Sequence, residues 1–508
     1  MFYSVNSMGL LGLSAYPVLA EVDLSQSMPA FEIVGLPGAA VKESRDRVRS
    51  AIRNCGMAFP VGKIIVNLSP ADVKKDGALY DLPIFLGVLK AAGMLEADLS
   101  GSAFFGELSL SGEVRRVSGA LPLVLGAKEQ GLRRVFLPQA NAAEGALVQG
   151  IEVYGLSHLN QLLDWYYKGD ALVPAASEGL GQSQAPPYLD FADVKGQSGA
   201  KRALEVAAAG GHNLLMIGSP GAGKSMLAKR IPSILPEMTF QESIETTKIH
   251  SVAGTLPEGG ALITERPFRA PHHTISPAGL SGGGSIPRPG EISLAHNGVL
   301  FLDELPEFSR DAMEVLRQPI EDGQVTISRV SGTLTYPCSM MVVAAMNPCP
   351  CGYFGHPLRD CSCSPHAVSR YLSRVSGPLL DRLDLHVEVA PVQYRSLTSP
   401  QPEESSESIR RRVNSARKIQ QERYQSIGIS CNAKLPSPAV NRFCPMDDGA
   451  SALLSRAFET MGLSARAYDR ILKVSRTIAD LDGAEVVQRR HIAEAVQYRS
   501  LDRKYWSR

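Results

Sequence analysis

A glycine-rich octapeptide at residues 218–225 constrains the fold of this chain more than any other feature. It reads Gly-Ser-Pro-Gly-Ala-Gly-Lys-Ser and directly follows the apolar run Leu214–Ile217. This is the spacing of a phosphate-binding loop between a buried strand and a helix. The glycines let backbone N–H groups point at an anion, and the helix that follows adds the positive end of its dipole. The sequence therefore predicts a nucleotide-binding α/β domain.

The motif also assigns roles to individual side chains. We expect Lys224 to reach the β- and γ-phosphates and the Ser225 hydroxyl to bind Mg²⁺. The predicted nucleotide contacts are Gly218, Ser219, Pro220, Gly221, Ala222, Gly223, Lys224, Ser225 and Met226.

A second apolar run, Val299–Leu302, ends in two acidic residues, Asp303 and Glu304. This pattern is typical of a buried strand that delivers carboxylates to its C-terminal edge. We expect Asp303 to hold Mg²⁺ and Glu304 to polarise the attacking water. Together with the phosphate loop, the pair predicts hydrolysis of ATP or GTP.

The bulk composition limits the classes of partner. The 508 residues exceed what one core usually holds, which favours two or three domains. The 52 basic and 51 acidic residues nearly cancel, so a nucleic-acid surface must be a local patch or arise by assembly. The sequence has neither a membrane span nor a credible signal peptide, and we expect a cytoplasmic protein with reduced thiols.

The pattern of elements divides the chain into four parts. Residues 1–170 mix strands, such as 18–24 and 63–68, with an amphipathic helix at 39–54, and favour an α+β domain. The parts that follow are a small, polar and proline-punctuated linker at 171–187, the nucleotide-binding core at 188–400, and a helical region at 401–508.

A glycine- and proline-rich insert spans residues 250–292, and we expect it to be largely structureless and functional. Its cationic candidates for contact with a phosphate backbone are Arg266, Arg269 and Arg288. In the alternative, these arginines pair locally with Glu265 and Glu291. A predicted β-hairpin at 324–336 adds Arg329 near its tip, and a buried strand at 341–345 leads to Asn347.

Four cysteines form a cluster, Cys349-Pro-Cys351 and, nine residues later, Cys361-Ser-Cys363. In a cytoplasmic protein this pattern favours a closed tetrahedral Zn²⁺ site that holds a loop in place without performing chemistry. The alternatives are reduced, uncoordinated thiols, or a site in which His356 or His366 supplies a ligand.

The order of motifs from residue 190 onward resembles an AAA+ ATPase, with a phosphate loop, an Asp-Glu strand, a sensor asparagine, an arginine motif and a helical lid. The insert and hairpin resemble those of magnesium-chelatase motor subunits and MCM helicases. Nearly the whole chain resembles the ComM/YifB group of magnesium-chelatase-like proteins. The most specific pieces are Phe-Glu-Ile-Val-Gly-Leu-Pro-Gly at 31–38, Val-Lys-Glu-Ser-Arg-Asp-Arg-Val at 41–48, Phe-Arg-Ala-Pro-His-His-Thr-Ile-Ser at 268–276 and Asn-Pro-Cys-Pro-Cys-Gly at 347–352.

The N-terminal domain itself resembles the Lon-protease-like fold. The matching pieces lie at 75–77 (Lys-Asp-Gly), 106–114, 126–131 and 135–138. That family uses a Ser-Lys dyad, whose serine position falls on or next to Leu79 and whose lysine falls near Leu121. The resemblance therefore implies a catalytically dead domain that serves binding or assembly.

The resemblance implies further roles within the ATPase. Asn347 fits sensor 1, Arg382 fits the arginine finger that completes a neighbour's site, and Arg466 fits the sensor-2 arginine of the lid. Arg370 or Arg374 could serve as the finger instead. Cationic fingers stabilise the charge that builds on the γ-phosphoryl oxygens. A finger supplied in trans implies a homohexameric ring.

Membership of this group would imply an ATP- and Mg²⁺-dependent motor on single-stranded and branched DNA. It would promote branch migration when incoming strands recombine during natural transformation, with a recombinase or other competence proteins as partners. The alternative is a chelatase-like or protein-remodelling ATPase that does not translocate on DNA.

Overall fold

The computed structural model describes residues 1–176, 189–257, 262–284, 287–329, 332–392, 394 and 403–506, without the side chains of Arg329, Asp502 and Arg503. Most of the predicted linker lies outside these ranges. The chain forms two compact units, one of Met1–Gln184 with Phe240–Thr264 and one of Ala185–Thr239 with Glu265–Arg508. None of the helices in the described ranges combines the length and apolar character that a bilayer crossing requires.

The first unit is built on a sheet with the strand order β1-β2-β4-β3, a parallel sheet β5-β8-β9 and a short antiparallel pair β6-β7. Its strands are β1 Phe2–Leu11, β2 Ser14–Ser25, β3 Ala30–Val34, β4 Lys63–Ser69, β5 Ser102–Phe104, β6 Glu107–Leu108, β7 Val114–Arg115, β8 Arg134–Pro138 and β9 Glu152–Leu156. Its helices up to residue 168 are α1 Ala39–Asn54, α2 Asp81–Ala91, α3 Ala120–Glu129, α4 Gln139–Gly145 and α5 Leu159–Lys168.

Apolar periodicity explains these elements. Strand β4 alternates strictly, with Ile64, Val66 and Leu68 buried and their neighbours half-buried.

The positions that the Lon-like resemblance aligns with a serine and a lysine hold Leu79 and Leu121, and both are buried apolar residues. Because the first unit contains both strands and helices, the α+β mixture expected for residues 1–170 is confirmed.

The second unit is organised by a parallel sheet with the strand order β11-β14-β17-β10-β18. The strands of this unit are β10 Leu214–Ile217, β11 Phe268–Arg269, β12 Gly282–Gly283, β13 Arg288–Pro289, β14 Val299–Leu302, β15 Gln324–Arg329, β16 Gly332–Pro337, β17 Met341–Met346 and β18 Leu385–Glu388. Strands β10, β14 and β17 are buried along their whole length, as expected for parallel strands covered on both faces.

Helices make up most of the chain from residue 198 to the C-terminus, and most of them belong to the second unit. From residue 198 they are α6 Ser198–Gly210, α7 Lys224–Ala228, α8 Phe240–Ala253, α9 Pro277–Ser281, α10 Glu291–Leu294, α11 Arg310–Glu314, α12 Arg317–Asp322, α13 Pro365–Leu372, α14 Gly377–Leu380, α15 Ser406–Tyr424, α16 Ser437–Phe443, α17 Asp448–Met461, α18 Ala465–Leu481, α19 Arg489–Gln497 and α20 Ser500–Tyr505. Helix α8 belongs to the first unit, where the Ser251 carbonyl accepts from the backbone N–H of Gly119 at 3.0 Å.

The insert at 250–292 is more ordered than its composition predicts. The end of α8, strands β11 to β13 and helices α9 and α10 fall within it, so the expectation of a structureless insert was wrong. Close backbone packing explains the many glycines, because a Cβ on Gly290 would lie 2.3 Å from the backbone nitrogen of Gly282.

The predicted hairpin is confirmed as the antiparallel pair β15-β16, in which Arg329 faces Gly332 in the register. It packs on the short ribbon β12-β13, since the Tyr336 hydroxyl donates to the Pro287 carbonyl at 2.8 Å. Its opposite face carries exposed hydroxyl residues, among them Thr326 and Thr335, whose Oγ1 atoms lie 3.2 Å apart.

Candidate nucleotide site

The phosphate loop starts at the C-terminal end of the central strand β10. The register places Ile217 beside Met346 of β17 and Glu388 of β18, so residue 218 emerges between two neighbouring strands where the strand order reverses. In open parallel sheets, ligands bind at such a switch point. Only glycine fits at residue 218, because a Cβ there would lie 2.4 Å from the Val389 carbonyl oxygen.

Lys224 is nearly buried and fully engaged inside the loop. Its ammonium donates to the Gly218 carbonyl at 2.7 Å, the Ser219 carbonyl at 3.0 Å and the Asn347 Oδ1 at 3.0 Å. Burial lowers the pKa of Lys224, and the nearby carboxylates of Asp303 and Glu304 oppose that shift. All three acceptors are neutral, so phosphate oxygens would be stronger partners for this cation.

The expected Mg²⁺ ligands lie next to each other. The Ser225 hydroxyl donates to Asp303 Oδ2 at 2.6 Å, and Asp303 Oδ1 accepts the backbone N–H of Glu304 at 3.0 Å. A hydroxyl and a carboxylate in contact at the edge of a phosphate loop are oxygen ligands of the kind Mg²⁺ prefers beside substrate phosphates. These two residues fit the ion that the motif implies.

Glu304 has a left-handed backbone with φ of +52°, which is uncommon for a residue with a side chain. Its side chain is 56% exposed, and Oε2 lies 3.4 Å from Nδ1 of His273. The carboxylate is therefore open to solvent water on one side and held by an imidazole on the other. This is a suitable arrangement for a group that must polarise a water molecule.

His273 is a functional candidate that our reading of the sequence missed. The pairing of two strands is what points to His273: β11 runs parallel to β14, with Phe268 opposite Val299. Continuing that register by five residues brings His273 level with Glu304 at the same edge of the sheet. Without the pairing, the two histidines of this motif look like ordinary loop residues.

Asn347 follows the last residue of β17, where the resemblance places sensor 1. Besides accepting from Lys224, it contacts Tyr371 through its backbone, which hydrogen-bonds the phenol. The structure thus brings together three of the predicted groups, namely the phosphate loop, the Asp-Glu pair and the sensor asparagine, and the first two supply the expected Mg²⁺ ligands.

Arg382 and Arg466 lie elsewhere, in a shared cavity of about 680 Å³. Both guanidinium groups face one carboxylate, with Arg382 Nη2 at 2.8 Å from Glu321 Oε2 and Arg466 Nη2 at 3.9 Å from Glu321 Oε1. Arg382 also donates to the Pro378 carbonyl at 2.6 Å.

This cavity opens at the N-terminal edge of the sheet, whereas the phosphate loop is at the C-terminal edge. Asn213, which precedes β10, lines the cavity, and Gly218, which follows β10, begins the loop. Five residues of extended strand separate the two ends by about 16 Å. The cavity that holds the two arginines therefore lies at the other end of strand β10 from the phosphate loop.

The other finger candidates differ in their surroundings. Arg374 pairs with Glu307 at 2.9 Å, and Arg370 is exposed on α13. Neither lines the cavity that holds Arg382 and Arg466.

The DNA-contact candidates divide into two kinds. Arg266 donates to the carbonyls of Pro236 at 2.6 Å and Asn297 at 2.7 Å, and Arg269 forms a two-pronged pair with Glu291 at 2.7 Å. The Arg269–Glu291 pair is the one expected in the alternative of local pairing, and Arg266 bonds main-chain carbonyls. Arg288 is exposed on β13, and the Arg329 side chain lies outside the described residues.

The four clustered cysteines meet, with their Sγ atoms within 4.8 Å of one another. The Cys349 Sγ lies 3.3 Å from that of Cys351 and 3.6 Å from that of Cys361. Zn–S bonds of about 2.3 Å in a tetrahedron imply S···S distances of about 3.8 Å, so the cluster has the size of a metal site. Burial raises the pKa of Cys349 to about 12. Burial also acts to raise the pKa of Cys351, but the Tyr353 N–H, the Cys349 thiol and the Ser362 N–H together outweigh it and lower that pKa to about 5.

Comparison with known proteins agrees with this geometry. Family models match residues 190–397 (magnesium chelatase, subunit ChlI), 20–141 (subunit ChlI of Mg-chelatase) and 403–499 (magnesium chelatase, subunit ChlI C-terminal). The competence protein ComM of Haemophilus influenzae is 44% identical over 506 residues, covering 98% of this chain and 97% of its own. YifB of Escherichia coli is 43% identical over 503 residues, with 98% and 97% covered.

A more distant relative bears on the N-terminal resemblance. Lon protease 2 of Bacillus subtilis is 29% identical over 157 residues, which cover 29% of this chain and 28% of the protease. The family models and the two full-length relatives decide the family. The chain belongs to the ComM/YifB group of magnesium-chelatase-like AAA+ ATPases, a family whose members bind ATP and Mg²⁺.

Proposed function

We propose that this protein is a ring-forming DNA motor that uses ATP hydrolysis to promote branch migration during natural transformation. The nucleotide site supports the ATPase part of this proposal through the Lys224, Asp303 and Glu304 set. The transformation part is supported by 44% identity to a relative named a competence protein. The motor would act in the cytoplasm on single-stranded and branched DNA, with a recombinase or other competence proteins as partners.

The observation that carries the ring is the position of Arg382 and Arg466. They share a cavity about 16 Å along the sheet from the chain's own phosphate loop, so they are of use to γ-phosphate chemistry only on a neighbouring subunit. A head-to-tail contact that repeats this arrangement closes into a ring. A homohexamer is the ring we propose.

Glu321 adds a detail to the arginine cavity. In the single chain its carboxylate pairs with both arginines, at 2.8 Å and 3.9 Å, and offsets one of their two positive charges. The γ-phosphate of a nucleotide bound to a neighbouring subunit is also negative and carries more charge than the Glu321 carboxylate. We propose that it displaces Glu321 when the ring closes around nucleotide.

The hairpin β15-β16 and the ribbon β12-β13 are the proposed DNA-contacting elements. They touch through Tyr336 and Pro287, and they carry Arg329 and the exposed Arg288. Arg266 and Arg269 would support this surface from within, because their guanidinium groups are bonded inside the unit. A ring repeats even a modest cationic patch around its axis.

The N-terminal domain is proposed to be a Lon-like module without peptidase activity, used for binding or assembly. Buried Leu79 and Leu121 stand where the resemblance aligns the dyad. We propose the domain division expected from the sequence, with a linker at 171–187, an ATPase core at 188–400 and a helical lid at 401–508, except that residues 240–264 of the core belong to the first compact unit. Zinc is the proposed ion of the four-cysteine cluster.

A labelled three-strand junction tests the proposal. Purified protein with ATP is expected to displace the labelled strand, and neither protein without ATP nor the Glu304→Gln variant should do so. DNA should also stimulate ATP hydrolysis, and that stimulation should fall steeply with salt. An ATPase that ignores DNA at every salt concentration and responds only to protein would instead indicate a chelatase-like or protein-remodelling enzyme.

A further inference from the structure

The four-cysteine loop, residues 349–363, is attached directly to the nucleotide site. Cys349 is two residues from Asn347, whose Oδ1 accepts from Lys224 at 3.0 Å. At the other end, Cys363 directly precedes Ser364, the N-cap of α13, and Tyr371 of that helix bonds the Asn347 backbone. The first end of the loop is therefore next to the sensor asparagine, and the second end leads into a helix that contacts it.

The middle of the loop touches the phosphate loop itself. Gly352 has a φ of +84°, and a Cβ there would lie 2.3 Å from Cδ of Pro220, the third residue of the phosphate loop. Its N–H donates to the Cys349 carbonyl at 3.0 Å, which makes a tight turn between the first two cysteines. This turn therefore packs directly against Pro220 of the phosphate loop.

Apolar packing holds one part of the loop, where Phe354 contacts Tyr505, but contributes little to its middle. Residues 357–360 are exposed, and Leu358 is 86% exposed. The cysteines supply the cross-links, because the backbone N–H of Cys351 donates to Cys363 Sγ at 3.4 Å and that of Phe354 donates to Cys349 Sγ at 3.3 Å. N–H donors to sulfur are the outer-shell contacts that orient and tune thiolate ligands in metal centres.

We propose that the four-cysteine cluster is a zinc site whose occupancy sets the nucleotide affinity of the phosphate loop. With the ion bound, Cys361 and Cys363 are tied to Cys349 and Cys351, and the Gly352 turn is pressed against Pro220. Without it, the turn loosens and the loop that cradles the phosphates loses its support. This inference rests on the proposed function only in requiring that the phosphate loop binds ATP.

Linkage makes the proposal quantitative. If zinc raises nucleotide affinity by some factor, nucleotide must raise zinc affinity by the same factor. Couplings between sites in proteins are typically 5-fold or more, up to about 150-fold. Measurements of nucleotide affinity with and without zinc, and of zinc affinity with and without nucleotide, must therefore give the same coupling factor.

The experiment uses the full chain, purified without chelators. Its zinc content is measured by elemental analysis, and a fluorescent ATP analogue is titrated into zinc-loaded, zinc-stripped and zinc-restored protein. We expect about one zinc per chain, nucleotide affinity at least about 5-fold weaker after stripping, and recovery on restoring zinc. Recovery distinguishes loosening of the loop from unfolding. Zinc competition against a chelator, with and without the analogue, should return the same factor.

Three variants separate metal binding from coupling. Cys361→Ser should lose zinc and weaken nucleotide binding, and Gly352→Ala should keep zinc but weaken nucleotide binding because its new Cβ displaces Pro220. Cys55→Ser, in the first unit, is the matched control and should change neither.

Each possible outcome bears on a different part of the proposal. Protein that retains no zinc overturns the metal site, and nucleotide affinity that is equal with and without zinc overturns the coupling while leaving the ATPase intact. Zinc-loaded protein that binds no nucleotide refutes the proposed function instead.

Discussion

Replacing Lys224 by alanine tests the nucleotide site at its most constrained residue. In the structure the ammonium makes three hydrogen bonds of 2.7 to 3.0 Å, all to neutral oxygens. The phosphates of ATP would replace neutral acceptors by charged ones. Hydrogen bonds to charged groups contribute about 1.5–3 kcal/mol, against about 0.5–1.5 kcal/mol for neutral ones.

The gain is therefore about 1 kcal/mol or slightly more for each exchanged bond. If two bonds are exchanged, one to the β- and one to the γ-phosphate, Lys224 contributes about 2–3 kcal/mol to the bound state. Since 1.4 kcal/mol corresponds to a factor of ten, Lys224→Ala should weaken ATP binding by about 30- to 150-fold. Hydrolysis should be abolished, because the charge that builds on the γ-phosphoryl group also loses this cation.

The assay is a titration with a fluorescent ATP analogue together with phosphate release at saturating ATP. Lys229→Ala is the matched control, since Lys229 lies on the exposed side of the C-cap of α7 and should leave both quantities unchanged. Phosphate release by Lys224→Ala at the wild-type rate would refute the assignment of this loop as the catalytic one.

Three further predictions address other parts of the account. Arg329→Ala should leave basal ATP hydrolysis unchanged and lower its stimulation by DNA, and normal strand displacement by this variant would count against the hairpin. His273→Ala should lower kcat about tenfold with little change in KM, because His273 contacts Glu304, the group expected to polarise the attacking water. An unchanged kcat would show that His273 has no role in hydrolysis. Burial raises the pKa of Asp384, but Arg470 at 3.0 Å, the His212 ring and the backbone N–H of Asn213 together outweigh burial, and the net shift is downward. The folded pKa is thus below the unfolded value of about 3.9, so the carboxylate stabilises the fold above that pH and the contribution is lost as pH falls further. Asp384→Asn should cost about 3 kcal/mol at pH 7, measured by chemical denaturation, with a smaller difference near pH 3; a constant difference would contradict the ionised pair.

The sequence predicted the parts of the fold that depend on local patterns. Helix α1 spans Ala39–Asn54 as expected from its apolar spacing, and the hairpin lies where alternation and a glycine turn indicated it. The buried runs at Leu214–Ile217 and Val299–Leu302 are strands because four consecutive apolar residues suit a sheet covered on both faces.

What the sequence could not supply was pairing over long distances. His273 and Glu304 are 31 residues apart, and only the parallel register of β11 and β14 brings them level. The convergence of Arg382 and Arg466 on Glu321 likewise depends on how the helix α18 and the loop before β18 pack. The insert was misjudged because glycine and proline were taken as signs of missing structure, whereas several of these glycines permit close backbone contact.

The central claim is that ATP bound to one subunit is hydrolysed with arginines from its neighbour. Mixing two inactive variants tests it most directly, because Lys224→Ala keeps the arginines and Arg382→Ala keeps the phosphate loop. In rings formed at random from equal amounts, about a quarter of the interfaces combine an intact loop with an intact arginine. The account predicts that the mixture recovers about a quarter of the wild-type ATPase rate. A mixture no faster than the sum of its two components, in rings shown by differential tagging to contain both variants, would contradict it.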